Sequence, residues 1–411
     1  MSRPTVSLLA LAACLAPAVA LAEPAPAPVP AVAVDEGVPG RILLESRLRY
    51  ESVDQEGYAL DANALTVRTR FGWESPEFAD LRVLIEAENV AAVIDDYSSP
   101  LHPDPLRPAV PDEEITELNR AQLTWTGIED TEVVLGRQRI VLGNARFLGN
   151  VGWRQNEQTF DGVKAVATAF EPVTVTYAWI DRVNRPLGRD HPQGVWRGDV
   201  HAGQVEGDTP VGHASLYGLL IDLDNAPTQS SATVGARLAG ARALSQPLSL
   251  TWELEYARQS DYANNPGAFD LDYRLASAGL KGARWTAALV YERLEGDGTW
   301  GFQTPLGTTH GFQGWSDVIG ATPAFGIQDV FLRGQVQLDA PGLEKPVTLK
   351  AEAHDFHDSD GDVRLGRELD AALVVPFQKR WTLELKGARF DSEHPMYRDT
   401  VKGWVSVEFR Y

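Results

Sequence analysis

Apolar and polar side chains alternate along most of this chain, and the last segment shows the alternation most clearly. Its sequence is VKGWVSVEFRY, with apolar side chains at 405, 407, 409 and 411 and polar ones at 402, 406, 408 and 410. A strand in a bilayer must turn one face to hydrocarbon and can turn the other to a water-filled lumen. The pattern therefore predicts a membrane β-barrel rather than a soluble sheet.

The same alternation is present from the first predicted strand, where Leu44 and Leu48 oppose Arg47 and Arg49. Seventeen such segments are plain, and an even strand count requires one more. The only room for it is a weak segment at 199–205. We therefore predict an all-β fold, a transmembrane antiparallel β-barrel of 18 strands, with 16 strands as the fallback.

The predicted connections alternate between long and short. Long ones lie near 92–113, 142–157, 183–196, 260–268 and 296–325, and in outer-membrane barrels such loops are extracellular. Five aromatic side chains make the last of them too apolar to float in water, so it should fold over or into the mouth of the pore. A gating role and simple packing against the barrel wall are both open.

The N-terminus carries the features of an export signal. A positive start is followed by an apolar run from Val6 to Leu21 and a small-x-small cleavage site at 20–22. We expect residues 1–22 to be a removed signal peptide, 23–40 a flexible periplasmic lead-in, and 41–411 a single outer-membrane barrel. A rival lipoprotein signal overlaps at 11–14 and would leave a lipidated Cys14.

Composition excludes several functions. A formal net charge of −20 argues against nucleic acid as a partner. The single cysteine lies in the predicted signal, so we expect neither disulfides nor thiolate sites. After the signal, no stretch approaches the ~20 consecutive apolar residues of a membrane helix. The chain lacks a Gly-x-Ser-x-Gly motif, and we expect neither enzyme activity nor a cofactor.

A barrel of this size leaves a water-filled pore, so its lumen lining should carry the function. The polar faces of the first six predicted strands are net basic and those of the later strands are net acidic, which predicts a transverse field across the pore. An arginine-rich wall suits carboxylates or phosphates, and ion pairing that merely stiffens the wall is the alternative. The basic positions are Arg41, Arg47, Arg49, Arg68, Arg70, Arg82, Arg120, Arg137, Arg139 and Lys164. The acidic positions are Glu253, Glu255, Asp270, Asp272, Glu292, Asp339, Glu352, Glu368, Asp370, Glu384 and Glu408, interspersed with bases such as Arg274.

The fifth predicted strand departs from this rule. Val133, Leu135, Arg137 and Arg139 would all lie on the same face of this strand. Either the two apolar residues would then face the lumen or the two arginines would face the lipid. We expect a bulge at Gly136 to change the register.

Several stretches carry a family resemblance. They are GRQRIVLGNARF at 136–147, GWRQNEQTFDGV at 152–163, EYARQSDY at 255–262 with NNP at 264–266, FQTPLG at 302–307 and GFQGWSD at 311–317. In these stretches the chain resembles the alginate export family of outer-membrane channels, and the likeness spans about 41–411. The resemblance implies an electropositive constriction that passes an anionic polyuronate outward, with Arg137, Arg139, Arg146 and Arg154 as constriction residues. The chain departs from the family pattern in its shorter length and strongly acidic loops, which should repel a long polyanion.

We therefore expect an outer-membrane channel for an anionic polysaccharide such as alginate, or for related anionic solutes. A general nutrient-uptake porin and a plugged surface receptor are the alternatives. The expected partners are outer-membrane lipid, lipopolysaccharide, the anionic cargo, and the barrel-assembly machinery through the C-terminal strand. Asp358, Asp360 and Asp362 are weak calcium candidates in an acidic loop, but their spacing departs from an EF-hand and we expect no metal site.

Overall fold

The structure is a computed structural model that describes residues 40–411. The predicted signal peptide at 1–22 and the lead-in up to residue 39 lie outside the described residues. Among the described residues, no helix is long and apolar enough to cross a membrane.

Eighteen antiparallel strands close into one barrel, as the alternation predicts. Each strand pairs with its neighbours in sequence, and β1 also pairs with β18, from Glu45 opposite Arg410 to Gln55 opposite Thr400. This closure leaves no free sheet edge. The strands are β1 Arg41–Gln55, β2 Ala62–Glu74, β3 Leu81–Asp96, β4 Ile115–Ile128, β5 Thr131–Gln138, β6 Thr159–Phe170, β7 Val173–Asn184, β8 Val195–Thr209, β9 Gly212–Leu223, β10 Ser231–Ser245, β11 Leu248–Asp261, β12 Asp270–Lys281, β13 Trp285–Leu294, β14 Ile327–Leu338, β15 Val347–His357, β16 Arg364–Phe377, β17 Trp381–Ser392 and β18 Thr400–Arg410.

The weak segment at 199–205 lies inside β8, a full-length strand that pairs with both β7 and β9. The prediction of a strand there is confirmed. Its alternation was hard to recognise because glycine and polar residues stand on both of its faces.

The two ends of the barrel differ in the length of their connections. One end carries the long loops, chiefly 97–114, 139–158 and 295–326, and the other carries turns as short as 129–130 and 171–172. We call these the loop end and the turn end. In outer-membrane barrels the loop end is extracellular and the turn end is periplasmic.

Alternation separates an apolar outer face from a lumen face. On β1, the side chains of Leu43, Arg47 and Arg49 are buried inside the barrel, whereas Leu48 is exposed on the outside. Large apolar side chains are exposed on the outside of many other strands, as a hydrocarbon-facing surface requires. The lumen face is therefore where the predicted charges can act.

Two details of the predicted lumen lining are wrong, and the first concerns Gly136. Strand β5 pairs with β4 and β6 without a register shift at this residue, so the predicted bulge is absent. Gly136 has a positive φ of 108°, and a Cβ there would collide with the backbone of Ala121 on β4. Arg137 keeps the outward parity of Leu135, and its Nε binds the Asp161 carboxylate at 2.7 Å.

The second correction concerns β12. Leu271, Tyr273 and Leu275 are buried inside the barrel, so by alternation Asp270, Asp272 and Arg274 lie on the outer face, near the loop end. Apolar side chains occupy the lumen face of β12 because long loops pack against it from inside. The rule that polar residues face the lumen fails where the lumen is filled by protein.

Candidate functional site

Two long loops fold into the lumen and narrow it. They are the β5–β6 loop, residues 139–158, and the β13–β14 loop, residues 295–326. Their backbones bond to each other, with the Gly149 N–H donating to Leu306 O at 2.9 Å and the Thr308 N–H to Ala145 O at 3.0 Å. The Gln158 amide donates to both Gly149 O and Leu306 O at 2.9 Å. The two loops therefore form one insert.

An apolar core fixes this insert to the barrel wall. Phe147 lies in the β5–β6 loop and Phe302 in the β13–β14 loop, and their ring centroids are 5.9 Å apart. Both rings also pack against Tyr273 of β12, with centroid distances of 5.1 and 5.7 Å. Full burial of each such ring contributes about 1.5–3 kcal/mol, so the aromatic loop folds into the barrel, as its composition indicates.

Arg146 holds the insert to the wall with a buried ion pair. Its Nε lies 2.8 Å from Glu292 Oε1 of β13, and both side chains are fully buried. The same guanidinium bonds to Thr304 Oγ1 at 3.2 Å and to Thr308 O at 3.3 Å in the other loop. Arg146 is thus enclosed by protein and positions both loops.

Arg154 joins the same insert to the opposite wall. Its Nη2 lies 2.6 Å from Asp317 Oδ2 in the β13–β14 loop, and its backbone carbonyl accepts a hydrogen bond from Arg47 of β1. Burial alone would raise the pKa of Asp317, but nearby His310 and Arg154 hold it well below its usual range. The Asp317 carboxylate is therefore ionised at neutral pH and fixes Arg154.

A second group of basic residues surrounds the carboxylate of Glu157. Its carboxylate lies 2.5 Å from Arg139 Nη2 and 3.7 Å from Arg70 Nη2 of β2, and it accepts hydrogen bonds from Asn119 at 2.6 Å and Asn150 at 2.8 Å. Burial opposes ionisation of this carboxyl, but the arginines and amides hold its pKa below the usual range. Arg139 and Arg70 therefore converge on one buried anion.

The remaining predicted bases line the wall in different ways. Arg68 is buried against Glu45, Arg120 binds Glu86 at 2.7 Å, and Arg82 lies near the turn end between Glu77 and Glu132. Lys164 stands opposite the buried Val134 and so faces the lumen.

Arg47 and Arg49 carry positive charge held by neutral partners. Arg47 Nε donates to Gln155 at 2.8 Å, and Arg49 Nε donates to Ser406 at 3.3 Å. The guanidinium carbon of Arg49 lies 4.1 Å from the ring centroid of Trp153, a cation–π contact.

Two ion pairs of this wall expose the arginine more than the carboxylate, whereas Arg68 is more buried than its partner Glu45. Side-chain exposure is 26% for Arg139 against 0% for Glu157, and 15% for Arg120 against 5% for Glu86. On the opposite wall the balance reverses slightly, with 10% for Arg333 and 13% for Glu352. The lumen between β1 and β5 therefore presents guanidinium groups, although every one of these pairs is neutral in sum.

A cluster at the tip of the β13–β14 loop was not predicted from the sequence. His310 contacts Lys386 of β17, Trp153 stacks on His310, and Trp404 of β18 lies edge-on. The Ser316 N–H and hydroxyl both donate to the Glu368 carboxylate of β16, at 2.7 and 2.5 Å. Aromatic residues in the loop hinted at packing, but nothing in the sequence links His310 to Lys386.

The acidic loop at 358–363 is organised by its own backbone. Asp358 Oδ1 accepts hydrogen bonds from the N–H groups of Asp362 at 2.8 Å and Val363 at 3.1 Å. Across residues 40–411, no group of three or more His, Asp or Glu side chains is arranged to hold a metal ion.

The closed barrel, apolar outside and charged inside, defines an outer-membrane channel. A model of the alginate export family matches residues 42–288. The chain belongs to this family, whose members are channel proteins rather than enzymes.

Solved outer-membrane structures share the fold at low sequence identity. OpdL of Pseudomonas aeruginosa is 17% identical with a TM-score of 0.69, covering 90% of this chain and 98% of that one. OccK9 (OpdG) of the same organism is 15% identical, with a TM-score of 0.71 and the same coverage. OccAB4 of Acinetobacter baumannii is 14% identical with a TM-score of 0.67, covering 92% of this chain and 99% of that one. No curated protein matches the chain.

Proposed function

We propose that this channel passes anionic solutes, with carboxylate-bearing saccharides such as uronates as the favoured class. The observation that carries the proposal is the exposure of the Arg120 and Arg139 guanidinium groups on the wall from β1 to β5, where their partners Glu86 and Glu157 are more deeply buried. A guanidinium can bind a passing carboxylate through two parallel N–H donors while keeping its structural partner. Membership of the alginate export family supports the same class of cargo.

The net charge of −20 does not oppose this proposal. Exposed loop charges are screened over about 8 Å at physiological salt, whereas charges in the narrow lumen act through a lower effective dielectric. Arg47 and Arg49 add to the local positive potential because their hydrogen bonds go to neutral groups. The cargo is a small solute or a single extended chain, since two loops occupy part of the lumen.

A second candidate is the uptake of small carboxylates. One of the structures with the same fold is that of Pseudomonas aeruginosa OpdK with vanillate, at 14% identity and a TM-score of 0.69. The narrowing of the lumen by the β5–β6 and β13–β14 loops favours a small molecule over a polymer. Outer-membrane phospholipid and lipopolysaccharide would surround either channel, and the C-terminal strand would engage the barrel-assembly machinery.

Flux into proteoliposomes tests the proposal. Vesicles that contain the protein should admit uronate monomers and short oligomers faster than neutral sugars of equal size. If oligomers are excluded while monomers enter, the small-carboxylate channel is favoured. Faster entry of the neutral sugars would contradict both candidates, and exclusion of every solute would indicate a plugged receptor.

A further inference from the structure

His310 lies where the insert meets strands β17 and β18 of the barrel. Its Nδ1 is 3.1 Å from both carboxylate oxygens of Asp317 in its own loop, and its Nε2 is 2.6 Å from Lys386 Nζ on β17. Trp153 of the β5–β6 loop stacks on the imidazole, with a centroid distance of 4.1 Å and an interplanar angle of 10°. The ring is almost completely enclosed, so its orientation is fixed.

These contacts determine where the imidazole carries its proton. A lysine ammonium can only donate hydrogen bonds, so Nε2 of His310 accepts from Lys386. The proton of the neutral imidazole then resides on Nδ1 and is donated to Asp317. The side chain of Lys386 cannot easily turn away, because its Nζ lies 3.9 Å from the ring centroid of Trp153 and 4.0 Å from that of Trp315.

We propose that His310 is an acid-sensitive latch that holds the β13–β14 loop inside the pore. Protonation adds a hydrogen to Nε2, so that two N–H donors, both positively charged, face each other at hydrogen-bond distance. The contact with Lys386 then breaks, and the loop tip loses its link to β17. Since histidine is the side chain that ordinarily changes charge between pH 5 and 8, the loop becomes more mobile as the pH falls through that range.

The nearest anchor in the same loop, Asp317, remains charged in this range. The pKa of Asp317 is lowered in the folded protein. Its carboxylate therefore stabilises the docked loop at every pH above the ordinary pKa of an aspartate, and this stabilisation is lost only when the pH falls through the lowered pKa. An acid response between pH 7.5 and 5.5 therefore does not arise from Asp317. The charged groups around the latch are Asp317 in the same loop, Arg154 in the β5–β6 loop, Arg49 and Glu51 on β1, Glu352 on β15, Glu368 and Asp370 on β16, Lys386 on β17 and Lys402 on β18.

Single-channel recording in potassium chloride tests the latch independently of any cargo. For the unaltered channel, lowering the pH from 7.5 to 5.5 should raise the frequency of conductance transitions about tenfold, since like charges in contact repel strongly in a low dielectric. The His310→Gln variant should lose this pH response, because its side chain does not titrate. His102→Gln is the matched control, since His102 is exposed in another loop, and it should respond like the unaltered channel.

Lys386→Met separates the latch from a purely structural role. In this variant the ammonium of Lys386 is gone, so protonated His310 no longer faces a like charge. The pH response should therefore disappear, even if gating at neutral pH also changes. A folded barrel migrates differently on a denaturing gel before and after heating. A shift between unheated and heated samples therefore shows that a variant is folded. An unaltered channel with pH-independent gating, or a full pH response in either His310→Gln or Lys386→Met, would overturn the proposal.

Discussion

Replacing Arg146 with methionine should release the insert from the barrel wall while the barrel stays folded. Both members of the Arg146–Glu292 pair are fully buried, and Tyr273 adds a hydrogen bond of 2.8 Å to the same carboxylate oxygen. Removing one partner of a buried ion pair costs about 3–5 kcal/mol, because the other charge is left uncompensated. The barrel itself is held by its closed ladder of strand pairs, so this cost falls on loop docking.

The size of the effect follows from that cost. Each 1.36 kcal/mol is a factor of ten in an equilibrium, so the balance of docked and released insert should shift by about two to four orders of magnitude. We expect higher open conductance and noisier single-channel traces for Arg146→Met. We also expect faster proteolytic cleavage within residues 295–326 in the detergent-solubilised protein.

A matched control comes from an exposed pair at the turn end. Arg284 binds Asp339, and both side chains are more than half exposed, so Arg284→Met should cost less than about 1 kcal/mol. Adding Glu292→Gln to Arg146→Met removes the uncompensated charge and should restore part of the docking. If Arg146→Met and Arg284→Met have the same conductance and the same cleavage rate, the buried pair does not hold the insert in place.

Three further outcomes are expected. Glu157→Gln leaves Arg139 with only the longer contact of 3.6 Å to Glu86 and should raise the anion-to-cation permeability ratio in planar bilayers; an unchanged ratio would mean that Arg139 does not face the ion path. Gly314→Ala should loosen the loop tip and speed proteolysis, because φ is +78° and an added Cβ would lie 2.5 Å from a carboxyl carbon on β16; wild-type cleavage would contradict this. A tag in the 358–363 loop should be labelled on whole cells and one in the 246–247 turn should not, and labelling of the latter would reverse the orientation.

The fold could be predicted from the sequence because most strands obey the same local rule. A period of two between apolar and polar side chains is visible without knowledge of which strands pair. Connection lengths then set the order of long loops and short turns. The weak β8 was found only because closure demands an even strand count, which is a global rule rather than a local signal.

The lumen lining was harder to predict because part of the lumen is filled by protein. Alternation assigns Asp270 and Asp272 to the pore only if the pore contains water along its whole length. Phe147, Phe302 and their neighbours instead pack against an apolar lumen face on β12. Arg137, which pairs with Asp161, was also assigned to the wrong face. The neighbouring Gln138 is buried on the inward face, so alternation places Arg137 on the outward one.

The contacts of the loop tip have no sequence signal at all. His310 and Lys386 are 76 positions apart, and each is an ordinary residue in its own segment. Arg146 and Arg154 were identified by family resemblance, which gives their importance but not their partners. Their burial and pairing with Glu292 and Asp317 indicate that they position the loops that shape the pore.

The reversal potential across a planar bilayer under a salt gradient measures whether anions pass along the arginine-bearing wall. We expect the unaltered channel to prefer anions. Replacing Arg120, Arg139 and Arg410 together with glutamine should lower the anion-to-cation permeability ratio several-fold while the barrel remains folded. These three arginines are the more exposed members of their ion pairs, and Arg410 lies on β18, the strand that pairs with β1. A channel that already prefers cations, or a reversal potential that the triple substitution leaves unmoved, would contradict an anion path along this wall.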